Sequence, residues 1–80
     1  MHAAYVAGVL MRPVYTEHAR RRMAKRGISE AEVESVLTHA YLTRYSRHSG
    51  NALYTGRVRG RRITVAIAPG SSPPRVVTVW

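Results

Sequence analysis

The chain of 80 residues contains no cysteine, only one lysine, and no acidic residue after Glu34. Without cysteine there are no disulfides, no thiolate metal sites and no cysteine nucleophiles, a usage compatible with the cytoplasm. The spacings of HExxH metal sites, phosphate-binding P-loops, glycine-rich dinucleotide fingerprints and serine nucleophile elbows are also missing, so no metal and no cofactor is assigned. No apolar run is long enough to span a membrane. The apolar start, residues 1–10, lacks a basic leading region and is interrupted by His2 and Gly8. Residues 1–11 read as a short first strand, or as a leader if Met11 is the natural start. With no repeat, linker or low-complexity tract, residues 12–80 read as a single domain with one thin core.

What the chain does have is cationic charge. Thirteen lysines and arginines face four acidic residues, for a net charge of +9, and all thirteen but Lys25 are arginine. After Glu34 come Arg44, Arg47, Arg57, Arg59, Arg61, Arg62 and Arg75 with no carboxylate among them. Such a stretch cannot be a surface of salt bridges, so its counter-charge lies in a partner or in solvent ions. Guanidinium groups donate in pairs to phosphate and stack on bases, which points to nucleic acid ahead of an anionic membrane. An acidic protein is the other partner this charge suits. The small size also admits a homodimer.

The hydrophobic pattern changes period along the chain. Thr16 is an N-cap, residues 17–26 are helix formers, and Gly27 suits the C′ position. Ser29 and Glu32 make a capping box for a second helix over about 30–39, with Val33, Val36, Leu37 and Ala40 on one apolar face. From Tyr41 the period becomes two, giving a strand over 41–46 before a polar loop at 47–51. Residues 52–58 and 61–68 form a hairpin about Arg59-Gly60, which sets Tyr54 opposite Val65, Thr55 opposite Thr64 and Arg57 opposite Arg62. Tyr54, Val58, Ile63, Val65 and Ile67 then share a core face. Leu53, Thr55, Arg57, Arg62 and Thr64 share the other, a candidate cationic floor. After a loop at 69–74, residues 75–80 form the last strand. The pattern predicts an α+β fold with two N-terminal helices packed on one face of a small antiparallel sheet. Gly56 marks a bulge or a close approach to a helix.

His18 stands two positions into the first helix, where the dipole disfavours an imidazolium and keeps a neutral ring fit to act as a base. Arg21, Arg22 and Lys25 follow at the spacings of the same helix face. A base flanked by phosphate-binding cations suits RNA cleavage through the 2′-hydroxyl. An exposed basic helix with an incidental histidine fits the spacing equally well. Tyr54 reads as core more readily than as a phenol contacting phosphate or a base. His39 suits a helix C-terminus, and His48 lies in the 47–51 loop.

The run Thr16-Glu17-His18-Ala19-Arg20-Arg21-Arg22-Met23-Ala24-Lys25-Arg26-Gly27-Ile28-Ser29, with the helix, hairpin and end strand that follow it, resembles the domain of unknown function 4258 family over about residues 12–80. That family is grouped with RelE-like and BrnT-like toxins among metal-independent ribonucleases. The resemblance implies a toxin-like endoribonuclease fold, with His18, Arg22 and Arg26 as catalytic motif positions and an acidic antitoxin as partner. Arg21, Lys25, Tyr54, Arg57, Arg62 and Thr78 are added from the residue pattern as RNA contacts, to RNA free or on the ribosome. The alternatives are a non-catalytic RNA- or ribosome-binding module, and a protein-interaction module that binds an acidic antitoxin-like partner.

Overall fold

The computed structural model describes residues 12–80, so the expectation of a leader or first strand at 1–11 lies outside the described residues. Strand β1 (Val14–Tyr15) is followed by helices α1 (Glu17–Arg26) and α2 (Glu30–His39) and by strands β2 (Leu42–Tyr45), β3 (Ala52–Val58), β4 (Arg61–Ile67) and β5 (Arg75–Val79). Both helices fall at the expected residues because both are capped. The Thr16 hydroxyl accepts from the Ala19 amide at 3.0 Å. Gly27 closes α1 in the left-handed region at φ 65°, where a side chain would be strained. Ser29 and Glu32 complete the capping box of α2.

The five strands run in the order β1-β5-β4-β3-β2. The expected hairpin register holds residue for residue, including Tyr54 with Val65, Thr55 with Thr64 and Arg57 with Arg62. The sheet differs from the expected antiparallel one at a single place, where β1 pairs with β5 in parallel through Val14 and Tyr15. Two residues carry too little alternation to announce a strand. They pair because the Val14 amide donates to the Pro74 carbonyl and the Thr16 amide to Val76, at 2.9 and 3.0 Å.

One core joins both helices to one side of the sheet: Ala19 and Met23 from α1, Val33, Val36 and Leu37 from α2, and Tyr54, Ile63, Val65, Ile67, Val76 and Val79 from the strands. α2 passes over Gly56 at van der Waals distance. A Cβ placed there would stand 3.5 Å from the Cα of Val36 and 3.6 Å from that of Ala40, so the glycine marks close helix packing. A register shift between Ala66 and Ile67 leaves Val76 and Val79 both in that core. Beside it, Tyr15 lies under the Arg20 guanidinium, 4.5 Å from the ring centroid, and burial pushes its hydroxyl up to about 12. Among the described residues no helix is long and apolar enough to cross a membrane.

A candidate nucleic-acid interface

All four carboxylates of the chain are taken by arginines. Glu17 pairs with Arg21 at 3.6 Å, Glu34 with Arg12 at 3.0 Å, and Glu32 with Arg61 at 3.8 Å, while Glu30 holds Arg20. Arg22, Lys25, Arg26, Arg44, Arg47, Arg57, Arg59, Arg62 and Arg75 have no carboxylate partner, and these nine account for the net charge. The acids all lie on the two helices, so the imbalance is concentrated on the hairpin and on the outer surface of α1.

Two contacts draw most of these cations to one end of the molecule. The Arg61 guanidinium donates to the carbonyls of Arg26 and Gly27 at 2.8 and 3.0 Å, occupying carbonyls left without partners at the end of α1. This ties the β3–β4 turn to the C-terminus of α1. Arg22 Nε donates to the Val79 carbonyl at 3.2 Å, which ties the same half of α1 to the end of β5. Arg22, Lys25 and Arg26 from α1 therefore stand at the same end as Arg57, Arg59 and Arg62 from the hairpin. Arg44, Arg47 and Arg75 belong to the opposite end, as the strand registers require.

His18, Arg21, Arg22 and Lys25 meet as expected: with Ala24 they line an open depression on the outer surface of α1. His18 is exposed. Arg26 is exposed but outside that lining, and its carbonyl is held by Arg61. Arg57 and Arg62 face each other on the side of the sheet away from the helices, with Arg57 folded back onto the Gly60 carbonyl at 3.2 Å. Between them and the middle of the sheet, Thr55 and Thr64 share a hydrogen bond of 2.9 Å and are buried, as is Leu53, so of the expected floor only its Arg57–Arg62 end is open. Thr78, opposite Ala66, is half-buried on that same side. The structure thus divides the expected contacts into the α1 depression and the sheet floor. Tyr54 belongs to neither, being buried in the core, where burial raises its pKa.

Two features of this end escape a reading of spacing. Trp80 exchanges both backbone hydrogen bonds with Thr64, at 2.8 and 3.0 Å, which places its ring on the cationic side of the sheet beside Thr64. An aromatic surface next to arginines is what stacked bases require. A terminal tryptophan gives no periodic signal, so only the pairing reveals it. Arg61 was legible only as charge, because the carbonyls it holds are 34 and 35 residues away.

Arg59, at the turn that the spacing did locate, is a further cation of this end. The turn carries φ 53° at Arg59 and 78° at Gly60, the two positive angles of a tight hairpin turn that asparagine-glycine makes at lower cost. A side chain in the left-handed region costs about 1–2 kcal/mol. Arg59→Asn is therefore expected to stabilise the domain by about 0.5–1 kcal/mol, seen as a higher urea midpoint. A midpoint that stays the same or falls would show that the turn is not strained at Arg59.

A model of one family matches residues 15–80. The chain belongs to the domain of unknown function family DUF4258. The match takes in both helices, the hairpin and β5, so the cationic end of this DUF4258 domain lies wholly within it. No curated protein and no solved structure matches the chain.

Proposed function

We propose that this domain binds RNA through its cationic end and cleaves it without a metal, as a toxin-like, RelE-related endoribonuclease paired with an acidic antitoxin. The observation that carries the RNA reading is that six carboxylate-free cations, Arg22, Lys25, Arg26, Arg57, Arg59 and Arg62, lie at one end of the molecule, the end at which Trp80 pairs with Thr64. Phosphates supply the missing negative charge, and the indole supplies a surface for a base. Arg22 stands where the two surfaces meet, lining the α1 depression while holding the residue before Trp80. One RNA strand can run from Arg57 and Arg62 past Arg22 to His18.

In the depression, His18 takes the proton of a 2′-hydroxyl as its oxygen attacks phosphorus. Arg22 and its neighbours neutralise the charge that develops on the phosphoryl oxygens. The bond from phosphorus to the 5′-oxygen breaks and the 5′-oxygen takes a proton from water, leaving a 2′,3′-cyclic phosphate and a 5′-hydroxyl. Cleavage is expected to continue in EDTA, to yield cyclic phosphate ends, and to fail on an RNA with hydrogen in place of the scissile 2′-hydroxyl. Cleavage that needs a divalent ion, or that survives removal of the 2′-hydroxyl, would contradict the mechanism.

One observation favours a non-catalytic RNA-binding module. Among the described residues, the lining of the α1 depression holds a single imidazole and no carboxylate, and its other proton-transfer group, Lys25, is one of the cations offered to phosphate. Tight RNA binding with no cleavage of any RNA would support that second reading.

A further inference from the structure

The two edges of the sheet are treated differently. At the β5 edge, β1 pairs with Val76 and its neighbour, the Thr16 hydroxyl donates to the Val77 carbonyl at 3.1 Å, and Arg22 takes the Val79 carbonyl. Among the described residues, the β2 edge has none of this. All four residues of β2 are exposed, and they include no proline to discourage pairing. The Ser46 amide donates inward to the Asn51 carbonyl at 2.9 Å, so by the alternation of an antiparallel ladder the backbone groups of Thr43 and Tyr45 point outward. Beside them Tyr41, Leu42 and Tyr45 are 58%, 45% and 74% exposed, among the largest apolar exposures of the described residues.

From this geometry we propose that β2 is a docking edge for an extended acidic segment of a partner protein, which adds to the sheet as a sixth strand. Charge complementarity selects this occupant. Arg44 lies on the strand and Arg47 follows it, neither with a carboxylate partner. A second copy would set the same uncompensated arginines against one another, which disfavours self-pairing. The added strand takes main-chain hydrogen bonds from Thr43 and Tyr45, a carboxylate opposite Arg44, and an apolar residue against the Tyr45 ring on the other side. The edge lies at the opposite end from the RNA surface, so both can be occupied, and the proposal does not depend on RNA binding.

The test uses a peptide of alternating valine and glutamate, with alternating valine and lysine as control, and amide hydrogen exchange as readout. At a peptide concentration about ten times the dissociation constant, exchange at Thr43 and Tyr45 should slow about tenfold with the glutamate peptide alone. Thr43→Pro removes one outward amide and should abolish protection at Tyr45. If that variant does not fold, Arg44→Glu serves instead, and should shift the preference to the lysine peptide. Equal protection by both peptides, or none at Thr43 and Tyr45 with either, overturns the proposal.

Discussion

Replacing His18 by alanine is expected to slow RNA cleavage by about a hundredfold to ten-thousandfold, the usual cost of losing one acid–base group. Folding should hardly change. The side chain is exposed, alanine is the best helix former, and surface substitutions of this kind usually stay within about 0.5 kcal/mol. RNA affinity should persist as well, since the cations are untouched. The variant therefore separates chemistry from binding, and single-turnover cleavage with matched binding curves measures both. In a bacterial cell, the wild type should slow growth and the variant should not. Unchanged cleavage would remove His18 from the mechanism, and equal growth at matched protein levels would count against toxicity.

Leu37→Ala is expected to destabilise the domain by about 2–5 kcal/mol. Leu37 is 3% exposed on α2, in the core cluster with Val33, Val36, Ile63 and Val65. Its loss leaves a cavity between helix and sheet. A domain this small has roughly 4–12 kcal/mol of stability in all, so the change removes a large part of it. Urea unfolding of both proteins gives the difference directly. A loss below about 1 kcal/mol would mean that α2 does not anchor to β4 as described.

How much of this was readable beforehand depended on whether the signal was local. The helix ends were legible because Thr16, Ser29, Glu32 and Gly27 act within one turn of where they stand. The hairpin register followed from the two-residue turn and the alternation on either side of it. The grouping of His18, Arg21, Arg22 and Lys25 followed from helical spacing alone. Strand β1 was not legible, since two residues show no period and their partners are in β5. The role of Arg61, the position of Trp80 beside Thr64, and the split between the α1 depression and the sheet floor all depend on contacts between distant segments. Tyr54 shows the limit of pattern from the other side: the same alternation that fixes its register puts it in the core, away from Arg57 and Arg62.

The central claim is that cations without carboxylate partners meet RNA phosphates, and the salt dependence of binding tests it most directly. For single-stranded RNA, the logarithm of the association constant should fall with the logarithm of salt at about −0.7 per phosphate contacted, or roughly −4 if all six cations of the cationic end are engaged. Replacing Arg57 and Arg62 together by alanine should make the slope shallower by about 1.4, with the urea midpoint little changed. An affinity that stays flat from low to high salt would contradict the claim.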